Sequence, residues 1–204
     1  MRLVLADLFE IAGVGHHGGE LFERVELVHA AIISGGDWFL DGISSALSSY
    51  SPCMTSVLVL GGSGFVGRHV CEALNRAGVN VTVPTRRLPA RSVQMLPFVT
   101  VVQADVHDPE QLASLVRGHD AVVNLVAILH GQLADFENVH VVLARSLAQA
   151  CIDEGVKRLV HVSALGADLH GPSMYQRSKA QGEAALQTGV VQGLQLTVLR
   201  PSVI

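Results

Sequence analysis

The stretch SVLVLGGSGFVGRHV, from Ser56 to Val70, constrains the fold more than any other part of this chain. Its consecutive apolar residues Val57–Leu60 predict a buried strand. Gly61-Gly62-Ser63-Gly64-Phe65-Val66-Gly67 follows, with glycines at a G-x-x-G-x-x-G spacing. A helix then runs over Arg68–Ala77, with Val70, Leu74 and Ala77 on one face and Gly78 as its stop. Each glycine has a distinct task in such a turn. Gly61 takes the tight bend, Gly64 lets the backbone approach a pyrophosphate, and Gly67 lets the helix pack close to the strand. The N–H groups around Ser63–Val66 and the positive end of the helix dipole then face an anion.

The rest of the chain from Met54 repeats the same alternation. Strands are predicted at Val79–Val83, Phe98–Val102, Ala121–Ile128, Leu159–Ser163 and Leu196–Leu199. Helices are predicted between them. Asp108 is the N-cap and Pro109 the first residue of one that ends at Val116. Val139–Glu154 forms a long one closed by Gly155, and Tyr175–Leu186 another. Strands separated by helices imply right-handed crossovers and a parallel sheet covered on both faces. Such an α/β, doubly wound sheet binds ligands beyond the carboxyl ends of its strands.

Composition agrees with that architecture. Of 204 residues, 49% are hydrophobic and only 4% aromatic, so Val, Leu, Ile and Ala must fill the core. Mean hydropathy is +0.40 and the isoelectric point about 6.2. A net charge of −4 argues against a nucleic-acid partner. No apolar run reaches the roughly 18 residues of a membrane span. The N-terminus carries Asp7, Glu10 and Glu20 and lacks the apolar core of a secretory signal. Cys53, Cys71 and Cys151 form no C-x-x-C pair and read as free thiols in a reducing compartment.

Residues 1–53 break the rhythm. Glu20–Ile33 can form an amphipathic helix, with Leu21, Val25, Val28 and Ile32 on one stripe. Glycine- and serine-rich segments surround it. We expect an N-terminal extension with little fixed structure. His16 and His17 stand without further ligands nearby, and no metal site is assigned.

Strand, glycine turn and helix in this context point to a dinucleotide. An NAD site usually carries an acidic residue about 20 positions on, bonded to the ribose 2′-hydroxyl. Here the second strand leads into Val83-Pro84-Thr85-Arg86-Arg87 with no acid. Arg86 and Arg87 can fork onto a 2′-phosphate and stack on adenine, so NADP(H) is favoured over NAD(H). Asp105, with Val106 beside it in QADVHD, follows the third strand. It bonds the adenine amino group or closes an Asx turn. Tyr175 and Lys179 form Y-x-x-x-K and share a helix face. A lysine ammonium beside a phenol lowers its pKa and can hold the nicotinamide ribose, so the phenol can move a proton during hydride transfer. Ser163, at the end of the fifth strand, donates to a substrate oxygen or caps the strand.

Together, GGSGFVG, ADVHD, NLVAILHG, HVSALGAD, YQRSK and LRPSVI resemble the short-chain dehydrogenase/reductase superfamily in its extended or atypical branch. Within it the chain resembles epimerase/dehydratase-like bacterial relatives of the NAD(P)-binding accessory subunit of respiratory complex I. The run from Tyr175 to Glu183, Y-x-R-S-K-A-x-G-E, is the most specific part. The resemblance implies a Rossmann domain over residues 54–204, with a substrate lobe expected beyond Ile204. It implies that Gly61, Ser63, Gly64, Phe65, Val66, Gly67, Arg86, Asp105, Val106 and Ala127 line the cofactor. It places Pro201 and Val203 near the nicotinamide and gives Tyr175 and Lys179 the dyad roles. Family members begin near Met54, so the natural start is expected there. The expected activity is NADP(H)-dependent oxidoreduction of an unidentified small molecule. The protein is expected in the cytoplasm or peripherally at a membrane. One alternative is a non-catalytic NADPH-holding subunit or sensor linked to respiratory complex I or quinone metabolism. The other is a sugar-nucleotide epimerase or dehydratase. Ser163 is followed by Ala164 and Leu165 rather than further hydroxyl residues, and the interval to Tyr175 is short. Both features weigh against sugar nucleotides.

Overall fold

The computed structural model describes residues 56–202. The expected extension, its helix Glu20–Ile33, His16, His17, Cys53 and Val203 lie outside the described residues. Strands β1 (Ser56–Leu60), β2 (Asn80–Thr85), β3 (Val99–Gln103), β4 (Ala121–Asn124), β5 (Arg158–Val162) and β6 (Gln195–Leu199) form one sheet. Their order is β3-β2-β1-β4-β5-β6, and every pairing is parallel. The chain winds outward from β1 to β3, then returns to start again at β4 on the other side of β1. The reversal leaves a crevice beyond the carboxyl ends of β1 and β4.

Alternation along β1 divides the core. Val57 and Val59 pack against Val70, Cys71 and Leu74 of helix α1 (Phe65–Arg76). Leu58 and Leu60 point the other way, toward α2 (Pro109–Val116), α4 (Leu143–Asp153) and α5 (Met174–Val191). Both faces are therefore covered, which is why the strands read as continuous apolar runs rather than alternating ones. Cys71 and Cys151 are buried free thiols, and burial pushes each up to about 12.

Most predicted elements are present, with instructive shifts. Asp108 caps α2 as expected, its carboxylate accepting from the N–H groups of Glu110 and Gln111. Helix α1 begins at Phe65, with Gly64 as N-cap, so its first turn reaches into the glycine motif. Strand β4 stops at Asn124 instead of continuing to Ile128. There Asn124 Oδ1 accepts from Val126 N at 3.1 Å and its Nδ2 meets His161 Nδ1 at 3.2 Å, which turns the chain off the sheet. The long helix expected from Val139 begins earlier, with a short turn α3 (Leu133–Phe136). It passes through a wide π-helical stretch, Glu137–Val142, before α4. Helix α5 starts from a capping box between Ser173 and Gln176 and runs past Leu186 to Val191.

Candidate functional site

The crevice is a cleft of about 870 Å³. At one end stands the glycine turn. Gly61 has a φ of +78°, which a side chain rarely adopts, and a Cβ on Gly67 would lie 2.2 Å from the Gly61 carbonyl oxygen. Helix α1 can therefore start directly beneath the turn. The N–H groups of Phe65, Val66 and Gly67 belong to its first turn, where helical acceptors are lacking. They and the helix dipole suit a pyrophosphate. Ser92 Oγ donates to Ser63 O at 3.3 Å, tying the turn to the loop after β2.

The end of β2 and that loop bring Thr85, Arg86 and Arg87 to the same cleft. Thr85 Oγ1 braces it with a bond to Arg87 O at 3.1 Å. Both guanidinium-bearing residues are exposed, and no ion pair holds either among the described residues. The cationic rim therefore lies at the end away from Tyr175's element, alongside Val106 and His107.

At the other end the walls are Leu125–Ala127 and Leu129 after β4, Ser163–Leu165 after β5, Tyr175 on α5, and Pro201 and Ser202 after β6. The Tyr175 phenol is half-buried, and burial pushes its pKa up. Ser163 Oγ is buried and has no hydrogen-bond partner among the described residues. A donor left unpaired in a cleft wall is ready for a ligand oxygen. Lys179 is 1% exposed, and its ammonium donates to Val162 O at 2.7 Å. Desolvation pulls its pKa from 10.5 to about 8, against a smaller raising effect of Glu183. Glu183 is itself held by a two-pronged pair with Arg200, Nε to Oε1 at 2.9 Å, which raises the Arg200 pKa.

The structure thus gathers Gly61, Ser63, Gly64, Phe65, Val66, Gly67, Arg86, Arg87, Val106, Ala127, Ser163, Tyr175 and Pro201 around one cleft. Asp105 and Lys179 do not line it. Asp105 Oδ1 accepts from His107 N at 3.0 Å, the Asx-turn alternative, and the residue borders a shallow acidic hollow instead. Lys179 sits behind the wall, one helical turn from Tyr175. Pro84, Ala104, His107, Leu125, Val126, Leu129 and Leu165 also line the cleft, although no sequence motif singles them out. Most sit just after a strand's carboxyl end, so the strand-end rule applied to every strand would have found them. Among the described residues, no group of three metal-binding side chains occurs, and no helix is long and apolar enough to cross a membrane.

A parallel sheet in this order, with a glycine turn at its switch point and a hydroxyl-lined far end, defines a Rossmann-type dinucleotide-binding domain. Residues 61–204 match the family model described as NAD(P)H-binding, and the chain belongs to that family. It is 30% identical over 181 residues to mouse NADH dehydrogenase (ubiquinone) 1 alpha subcomplex subunit 9, mitochondrial, covering 86% of this chain and 45% of that protein. It is 31% identical to a ceramide reductase of Caulobacter vibrioides, covering 72% and 46%. Among solved structures, MoeE5 in complex with UDP-glucose and NAD superposes with a TM-score of 0.62 at 25% identity, over 71% of this chain and 53% of that one. A UDP-glucuronic acid 4-epimerase from Bacillus cereus in complex with NAD shares the fold, with a TM-score of 0.62. The chain spans about half the length of the curated relatives it matches. The expected superfamily and its likeness to the complex I accessory subunit are thereby shown, as is the Rossmann fold.

Proposed function

We propose that the cleft binds NADP(H) and that this chain supplies the cofactor-binding and proton-transferring half of a short-chain-dehydrogenase-type oxidoreductase. The observation that carries this reading is that Tyr175 and the unpartnered Ser163 hydroxyl both line one glycine-turn cleft. The first-turn N–H groups of α1 fit a pyrophosphate, and Arg86 and Arg87 fit a 2′-phosphate. A reduced nicotinamide supplies a hydride when bound. Tyr175 then donates its phenolic proton to the carbonyl oxygen that the hydride makes basic, and Ser163 Oγ donates a hydrogen bond to the same oxygen. Lys179, expected from sequence to lower the phenol's pKa, instead donates to Val162 O behind the wall, and burial raises the phenol, which keeps the proton on Tyr175 until the transfer. The ceramide reductase relative supports a reductive role.

Tyr175→Phe should lower turnover by at least about a hundredfold while leaving cofactor affinity unchanged. Unaltered turnover in that variant excludes the mechanism. Reduced-nicotinamide fluorescence should show tighter binding of NADPH than of NADH, and Arg86→Ala should erase the preference. A preference for NADH would reject the 2′-phosphate reading and return the sugar-nucleotide alternative to consideration.

A second reading is favoured by the position of Lys179 and by the complex I relatives. With the ammonium turned to Val162 O and the phenol pushed up by burial, the cleft would hold NADPH without turning it over. The protein would then be an accessory subunit or sensor at a respiratory complex. Tight NADPH binding with no oxidation by any carbonyl compound or quinone supports it, and steady oxidation removes it.

A further inference from the structure

His140 is 2% exposed, lies in the π-helical stretch, and has no role in the chemistry above. Its ring nevertheless has a partner on every side. Nε2 accepts from Ile128 N at 3.1 Å, and Nδ1 lies 2.8 Å from Ser178 Oγ. A backbone N–H can only donate, so Nε2 carries no proton and Nδ1 carries it. Ser178 Oγ therefore accepts from His140 and donates its own hydrogen to the backbone carbonyl of Tyr175 at 3.0 Å. The imidazole also meets the Tyr175 ring edge-on, with centroids 5.6 Å apart. Burial and the nearby Lys179 charge push its pKa down to about 4, so it stays neutral.

The local backbone explains how His140 reaches this place. The wide turn adds a residue to the helix and swings the 140 position toward α5. Helix α5 meets it at Gly182, where a Cβ would lie 2.3 Å from the His140 carbonyl oxygen. Gly182 and the π stretch thus bring the two elements close enough for the imidazole to bridge them.

We infer that His140 is a positioning residue for the nicotinamide end of the cleft. It ties the loop that carries Ala127 and Leu129 to the helix turn that presents Tyr175, and so fixes the gap between two walls formed by separate elements. The inference rests on the dinucleotide reading of the cleft. It predicts a selective effect, because the phosphate end is built by other residues.

The test compares NADPH with 2′-phospho-ADP-ribose, which lacks the nicotinamide, by calorimetric titration of the whole chain. In His140→Phe, affinity for NADPH should fall about tenfold, the loss expected for one well-placed hydrogen bond, while 2′-phospho-ADP-ribose binds within about twofold of the parent. His140→Gln, which keeps an acceptor at the reach of Nε2, should recover most of the loss. Equal weakening of both ligands would mean general damage to the fold and would overturn the inference, as would no change for either. Should His140→Phe fail to fold, His140→Asn keeps a donor toward Ser178 and loses the acceptor for Ile128, and it carries the same comparison. If the unaltered chain binds neither ligand, the dinucleotide reading fails by itself. The Ile128 amide then decides the positioning role. Hydrogen exchange accelerated about tenfold at Ile128 alone in the variant upholds that role, and unchanged exchange ends it.

Discussion

Between Gly61 and Gly67 the cleft is lined by the backbone of one continuous segment, whereas around Tyr175 it is lined by residues from four separate parts of the chain. The first end is shaped by the absence of side chains. Gly61 bends, Gly67 admits the helix, and the polar groups on offer are main-chain N–H groups, which every residue but proline possesses. The second end is shaped by side chains and their supports. Ser163 waits unpaired, Tyr175 leans on His140, and Lys179 and Glu183 are held beneath by Val162 O and Arg200. The contrast teaches that the two ends fail differently. An added methyl group breaks the first, and loss of a buried polar partner breaks the second.

The largest expected effect belongs to the glycine end. In Gly67→Ala the new Cβ would stand 2.2 Å from Gly61 O and 2.5 Å from Gly62 Cα, both backbone atoms that cannot swing aside. The variant should lose about 3 kcal/mol or more of stability and all measurable dinucleotide affinity, checked by denaturant unfolding and a parallel titration. Retained affinity would show that the turn is not the phosphate seat and would break the comparison at its firmer end.

A middle-sized effect isolates the buried lysine. Lys179 has its pKa pulled from 10.5 down to about 8 in the folded chain. Between those two values the unfolded chain binds the more protons, so stability gained through this group rises with pH across that window. Below about pH 8 both states carry the charge and its burial costs the most. Relative to Lys179→Met, the parent protein should therefore gain on the order of 3 kcal/mol from pH 8 to 10.5. Cys71 and Cys151, held protonated by burial in the folded state of both proteins, contribute alike and cancel in the difference. A flat difference in unfolding free energy against pH would mean that the ammonium is hydrated rather than sealed behind the Tyr175 wall.

The smallest effect sharpens the independence of the two ends. Ser173 Oγ accepts from Gln176 N at 3.1 Å and caps the helix that carries Tyr175, Ser178 and Lys179. Ser173→Ala should cost about 1 kcal/mol. Amide exchange should quicken in the first turn of α5, with 2′-phospho-ADP-ribose affinity untouched. A matching loss at the glycine end would show that the ends are mechanically coupled.

Legibility followed the same division. The glycine turn, the strand before it and the helix after it were readable because every requirement is local: a run of apolar residues, a fixed glycine spacing and a helix face. Asp108 was readable as a cap for the same reason. The apolar run Leu125–Ile128 makes strand β4 look longer than it is, and the chain turns aside at Asn124, which accepts from Val126 N and is anchored to His161, 37 residues away. The π stretch at Glu137–Val142 left no readable period, since a single wide turn interrupts the spacing it would be recognised by.

The sequence by itself determined the order of strands and helices, the place of the glycine turn and the presence of Tyr175 beside the fifth strand's end, because these depend on local propensity and short spacing. Only the tertiary structure decided that Lys179 lies behind the wall rather than in it, that Asp105 closes a turn, and that His140 joins two walls. Those outcomes depend on which distant groups share a desolvated volume, where each buried donor or acceptor must find a partner, and no spacing along the chain encodes that meeting.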